Sequence, residues 1–261
     1  MEFRAVSAES VIQASQENIF ASYEHIALKI PGARKVVTPY FDAVVSNRPF
    51  SFCNFALNLK ASPSELPQVY GELAKLTALH PTIRLVVPDS LDHDCTKEDF
   101  ERCGFHLNFS LKIMACTQPL PNPSQNLKII EAKTPDERLQ FCEFAFLQFF
   151  RYSDNTFRRL GALATSESDH RLFGIADESG LVASMMLVET EHSVGVYNLC
   201  VHSAKRGHGY GKNLVYLASQ IADSRNTHLV LQTGPETERF YAKLKFEEFG
   251  ELNSFTLQIS E

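Results

Sequence analysis

Hydrophobic positions in the second half of the chain switch repeatedly between a two-residue and a 3.6-residue period. Short apolar runs at 127–131, 171–176, 181–190, 193–201, 229–231 and 255–259 predict strands. Asp177-Glu178-Ser179-Gly180 joins two of them as a hairpin turn, and Glu191-His192 joins the next pair. Leu214, Leu217, Ala218 and Ile221 recur at i, i+3, i+4 and i+7, which marks an amphipathic helix. Thr134-Pro135-Asp136-Glu137 starts another helix, with a Thr cap, Pro at the first helical position and acids at the positive end of the dipole. That helix carries Phe141, Phe144, Phe146, Phe149 and Phe150; further helices are expected at 155–164 and 235–245. The mixture predicts an α/β (α+β) unit, a mixed central sheet flanked by helices.

The first half patterns less cleanly. Helices are expected at 11–30, 65–79 and 97–102 and strands at 52–57, 83–87 and 106–115, which is a second α/β unit of open topology. Between the halves, Thr117-Gln118-Pro119-Leu120-Pro121-Asn122-Pro123-Ser124-Gln125-Asn126 favours an extended, solvated connector. The expected division is a domain at 1–117, a Pro-rich linker at 118–126 and a domain at 127–261.

Composition adds exclusions. With 25 basic and 31 acidic side chains the formal net charge is −6, the wrong sign for generic phosphate-backbone binding, so no nucleic acid partner is expected. No apolar run reaches the roughly 18 residues of a membrane span, and the N-terminal residues hold no apolar leader core. The expectation is a soluble cytoplasmic protein, a monomer or homodimer, with no membrane partner. Cys53, Cys95, Cys103, Cys116, Cys142 and Cys200 are scattered without C-x-x-C, which suits reduced structural thiols. His93, Cys95, Cys103 and His106 could reach tetrahedral zinc by spacing, but no second ligand pair supports them; no metal is expected.

Chemistry concentrates at 196–212. A strand ending in Leu199-Cys200-Val201 runs into a loop with Gly207, Gly209 and Gly211, and the loop opens the amphipathic helix. The first N–H groups of a helix lack internal acceptors and carry the positive end of the dipole, so this is an anion cradle. Glycines admit a bulky phosphate, and Arg206 and Lys212 add charge-assisted bonds. A bare G-x-G arises by chance about once in such a chain; the Arg before it, the strand and the helix are what single this one out. Neither G-x-x-x-x-G-K-[ST] nor G-x-G-x-x-G fits.

Arg206-Gly207-His208-Gly209-Tyr210-Gly211 resembles the R-x-x-G-x-G pyrophosphate loop of the GNAT acyltransferase superfamily. Leu199-Cys200-Val201-His202 is similar to that family's cofactor strand, and Phe240-Tyr241-Ala242-Lys243-Leu244-Lys245-Phe246 resembles its Y-x-K-L-G-F segment. The resemblance spans 127–261 and implies an N-acetyltransferase that moves an acetyl group from acetyl-CoA to an amine by direct attack in a ternary complex. It implies that Arg206, Gly207, His208, Gly209, Tyr210, Gly211 and Lys212 hold the pyrophosphate. It further implies that Leu199, Cys200 and Val201 lend backbone groups to pantetheine, and that Tyr241 protonates the departing thiolate. Ser203 replaces a common Pro, Lys245 a usual Gly, and Gly234-Pro235 stands where Asn is frequent. In the first half, Phe100-Glu101-Arg102-Cys103-Gly104-Phe105 resembles the last segment of the same fold without a phosphate loop, which suggests a tandem with a degenerate first domain.

Glu189, Glu191 and His192, at the hairpin edge, are candidates for a general base. The acceptor amine is open. A non-catalytic acyl-CoA sensor or scaffold and a nucleotide-binding regulator are the rival readings.

Overall fold

A computed structural model describes residues 7–89, 93–116, 118, 120–123 and 127–257. The first half comprises α1 (Ala8–Ala27), β1 (Arg34–Val37), β2 (Asp42–Val45), β3 (Phe55–Leu57), α2 (Leu66–Thr77), β4 (Arg84–Pro88), α3 (Lys97–Arg102) and β5 (Phe105–Cys116). The second comprises β6 (Ile130–Glu131), α4 (Pro135–Phe149), α5 (Asn155–Ser166), β7 (Arg171–Asp177), β8 (Gly180–Glu189), β9 (Ser193–Val201), α6 (Tyr210–Arg225), β10 (His228–Thr233), α7 (Pro235–Lys243) and β11 (Phe246–Leu257).

All eleven strands form one mixed sheet in the order β1-β2-β3-β4-β11-β5-β10-β9-β8-β7-β6. Each half ends on a strand that pairs with the other half. β5 lies antiparallel between β10 and β11, and β11 lies antiparallel between β5 and β4. Within each half, one parallel pair, β3–β4 or β9–β10, precedes this exchange.

α6 and α7 cover one sheet face of the second half around Leu214, Val215, Ala218, Tyr241 and Leu244. α4 and α5 lie on the opposite face, where Phe141 and Phe146 pack on Leu172 and Met186. α1, from the first half, joins them there. Asn18 donates through Nδ2 to the Val188 carbonyl at 2.9 Å and to Ser193 Oγ at 3.0 Å, while Ser193 Oγ donates to the Ala14 carbonyl at 3.0 Å. Gly195 makes the close approach possible, since a Cβ there would lie 1.9 Å from Asn18 Oδ1.

Two departures from the sequence pattern have physical causes. β11 begins at Phe246 rather than 255: it pairs with β5 from Phe246 opposite Cys116, Glu248 is ion-paired with Lys112 of β5, and Glu251 with Lys97 of α3. Residues 258 and 259 lie outside the described residues. The β1–β2 hairpin has a turn built on the Thr38 side chain, which accepts from the Phe41 N–H at 2.9 Å and carries no glycine signal. Of the connector, Leu120 is buried in the second half's core and Asn122 accepts from the Tyr216 hydroxyl, so it is anchored rather than wholly solvated.

Candidate active site

β9 and β10 pair only as far as Val196 opposite Leu231. β9 continues to Val201 and β10 to Thr233 without further pairing to each other, so the strands diverge and leave backbone groups unshared. The cause is a bulge. Pairing with β8 passes from Tyr197 opposite Met186 to Cys200 opposite Ser184, so Asn198 and Leu199 together oppose Met185. Asn198 takes φ 49°, a left-handed conformation that Asn tolerates better than most residues. Bulges increase local twist, which swings the end of β9 away from β10.

The loop after β9 presents the start of α6. Gly207 and Gly209 have φ of 84° and 82°, and Gly209 is the N-cap, so no side chain satisfies the first amides of the helix. α4 contrasts with this, because Thr134 and Glu137 form a reciprocal capping box over its first turn. Arg206 Nε donates to the Val201 carbonyl at 3.4 Å, which leaves its exposed guanidinium beside the loop. His208 is exposed, with Nδ1 3.0 Å from the Arg206 carbonyl. Lys205 is committed elsewhere, at 2.6 Å from Asp177, and its ammonium holds that carboxyl low, at about 2. Tyr210, Gly211 and Lys212 are half-buried. A Cβ on Gly211 would sit 3.4 Å from Phe240 Cζ and 3.7 Å from Val201 Cγ2, so α6, β9 and α7 meet at this residue.

Leu199 and Val201 turn toward the α6 face and are half-buried. Cys200 turns to the opposite face, where its sulfur lies 3.3 Å from Ser184 Oγ. Burial pushes this thiol up to about 11, so it stays protonated at neutral pH and is a poor nucleophile. Tyr241 is buried on α7, edge-on to Phe240 and Phe246 at 5.0 and 5.6 Å between ring centroids. Burial raises its hydroxyl well above the usual range and keeps the proton on. Lys245, at the position of the usual Gly, has φ 65° and so preserves the turn that ends α7.

The structure brings Val201, Arg206 and Gly211 to one mouth and sets Phe240, adjacent to Tyr241, on its rim. It does not bring the hairpin acids there. Glu189 is tied to Arg171 at 3.2 Å and to Arg225 at 3.1 Å. His192 and Glu191 lie before the first residue of β9, seven and eight residues from Leu199, so at about 3.3 Å per residue they are roughly 23 and 26 Å from it. None of the three is positioned as a general base at the strand opening. Sequence reasoning missed Asn198, whose only signal was an Asn inside an apolar strand, and Phe240. Cys95 donates to the Ala61 carbonyl at 3.4 Å, and no group of three His, Cys, Asp or Glu suited to a metal occurs among the described residues. No helix among the described residues is long and apolar enough to cross a membrane.

Residues 168–248 match the family model of the acetyltransferase (GNAT) domain. No curated protein sequence matches the chain. Among solved structures, a GCN5-related N-acetyltransferase from Kribbella flavida is 15% identical, with a TM-score of 0.68 over 93% of this chain and 96% of its own. A tandem GNAT protein from the clavulanic acid biosynthesis pathway is 11% identical, with a TM-score of 0.59 over 98% of both chains. A GCN5-related N-acetyltransferase from Sphaerobacter thermophilus is 15% identical, with a TM-score of 0.54 over 95% of this chain and 91% of its own. The chain carries a GNAT acetyltransferase domain at residues 168–248, and it has the fold of the GNAT acetyltransferases over nearly its whole length.

Proposed function

We propose that the protein is an N-acetyltransferase that transfers the acetyl group of acetyl-CoA to an amine within a ternary complex. One observation carries this reading: an uncapped helix start opens directly beside two diverging parallel strands. The amides of α6 and the Arg206 guanidinium suit a pyrophosphate, and the free backbone of 199–201 suits the amide groups of pantetheine.

In the reaction, the amine lone pair attacks the thioester carbonyl, the C–S bond breaks and the thiolate leaves. The amine gives up one proton and the sulfur takes one. Tyr241 carries a proton and serves the sulfur. Because burial makes its phenol a weak acid, it stabilises the growing charge chiefly as a hydrogen-bond donor.

Acetyl-CoA should raise the melting temperature of the protein, as any ligand selective for the native state does. Arg206→Ala combined with Gly209→Asp, which puts a carboxylate at the cradle, should abolish the shift. Normal acetyl-CoA binding by that double variant would put the cofactor site elsewhere.

A further inference from the structure

Asn213, one turn into α6, is 4% exposed and has both ends of its side-chain amide engaged. Nδ2 donates to the Gly209 carbonyl at 3.0 Å, and Oδ1 accepts from the Leu127 N–H at 3.4 Å. A carbonyl on one side and an N–H on the other leave the amide a single orientation. The Gly209 carbonyl also accepts the Asn213 N–H at 3.0 Å, the ordinary bond of a helical turn, so it carries two donors from one residue. The asparagine thus grips the N-cap residue by its carbonyl. α1, α3, α4 and α5 begin differently: there a side chain at the cap accepts from a first-turn amide and uses it up.

A planar trans peptide unit sets its carbonyl and its N–H in opposite directions. The unit between Gly209 and Tyr210 therefore aims its N–H out of the end of α6 for as long as its carbonyl is aimed into the helix. Two donors on the oxygen fix that direction, and they polarise the unit so that its N–H is the stronger donor. Gly209 is where such a restraint counts, since glycine has the widest choice of backbone states and here takes φ of 82°.

The other end of the amide holds the chain that arrives from the first half. Leu120 lies in the core with Leu214 and Val215, Asn122 accepts from the Tyr216 hydroxyl, and Leu127 gives its N–H to Asn213. That chain is fastened at three points to the first two turns of the helix that opens the cradle.

We infer that Asn213 is a positioning residue for the anion cradle: it holds the Gly209–Tyr210 peptide so that the Tyr210 N–H faces the pyrophosphate of the cofactor, and it does so without touching the cofactor. This rests on the acetyltransferase reading. An asparagine with a merely structural role would fasten Leu127 and leave cofactor affinity unaltered. The two roles separate because they use opposite ends of the amide.

The test uses the full chain, with calorimetric titration of acetyl-CoA and a melting curve for each variant. Asn213→Ala removes both bonds and should weaken the acetyl-CoA Kd about tenfold. Asn213→Ser restores one of them, because a serine hydroxyl in a helix reaches the carbonyl four residues back, here that of Gly209; its Kd should return to within about threefold of wild type. Asn213→Asp keeps the size and an acceptor for Leu127, but it loses the donor and sets a carboxylate against the Gly209 carbonyl. Its Kd should be at least as weak as that of Asn213→Ala, and it decides the matter if Asn213→Ala does not fold. Affinity within twofold of wild type in folded Asn213→Ala or Asn213→Asp would overturn the inference. So would an Asn213→Ser as weak as Asn213→Ala, which would assign the loss to the Leu127 anchor. Wild-type protein that fails to bind acetyl-CoA would instead sink the acetyltransferase reading itself.

Discussion

Gly211→Ala is expected to stabilise the protein and weaken its cofactor binding at once. Gly211 is the second residue of α6 and lacks the positive φ of Gly207 and Gly209, so alanine can adopt its backbone without strain. Glycine inside a helix costs about 0.8–1 kcal/mol relative to alanine, and somewhat less this close to the end. The added methyl meets Phe240 at 3.4 Å and Val201 at 3.7 Å, contacts that need little or no movement. The net gain should be roughly half to one kcal/mol, or about 2 °C in Tm for a chain of this size. The same methyl stands between α6, β9 and α7, at the mouth through which a pantetheine arm would pass. A tenfold weaker acetyl-CoA Kd, about 1.4 kcal/mol, is expected.

Gly209→Ala is the matched control with the opposite sign. Its Cβ would find only Asn213 Nδ2, at 3.8 Å, but φ of 82° costs an L-residue about 1–2 kcal/mol, so Tm should fall. Thermal unfolding of both apo variants, with calorimetric titration of acetyl-CoA, separates the two effects. A lower Tm for Gly211→Ala would mean the space is not there. An unchanged Kd would mean that the cofactor does not pass this residue.

Three further outcomes are expected. Tyr241→Phe keeps the ring packing and removes the proton, so kcat should fall by roughly 10- to 1000-fold while acetyl-CoA affinity holds within a few-fold; an unchanged kcat in a chemistry-limited assay would make it a packing residue. Residues 127–261 produced alone should not fold natively, because β10 would lose β5, and β11 both of its partners; a dispersed amide spectrum from that fragment would contradict this. His170 is held down to about 4, first by burial and then by the stacked His25 ring 5.3 Å away. A depressed folded-state value means that stability is full above the unfolded value near 6.5 and lost as pH falls toward 4. Replacing His170 by Gln should therefore flatten the fall of Tm over that window, and an unaltered slope would assign the acid sensitivity to other groups.

Most elements of the second half were legible in the chain because their signals are local: a capping box at Thr134, a 3.6-residue stripe from Leu214, glycines at 207, 209 and 211 following Arg206. The strand exchange was not. A two-residue period says which face a side chain takes and nothing about which strand lies alongside, so β5 and β11 read as the last strands of separate units. The role of α1 was hidden for the same reason. The chain predicts only a helix at 11–30, and the buried Asn18 on it finds its role in the bonds it gives to Val188 and Ser193 of the second half.

The two halves supply their own control for separating fold from chemistry. Asn58, after β3, and Asn198, in β9, both take left-handed φ, at 55° and 49°, and each is followed by Leu. Gly104 and Lys245 likewise both take positive φ before the exchanged strand. What recurs in both halves is needed to splay and close this sheet. What occurs once is needed for something else. The second half has Gly209 and an uncapped α6; in the first, Ser62 and Glu65 form a capping box just before α2, and the Glu65 carboxylate accepts from the Ser62 N–H at 2.9 Å. Tyr241 has a hydroxyl; at the corresponding place before β5 stands Phe100, fully buried among Phe105 and Phe255. Leu199 and Val201 are half-exposed at an open mouth; Leu59 and Ala61 are sealed in core. Among the described residues, the uncapped helix start, the hydroxyl at this position and the open strand end all occur in the second half and not in the first, which is the pattern expected if they serve one reaction together.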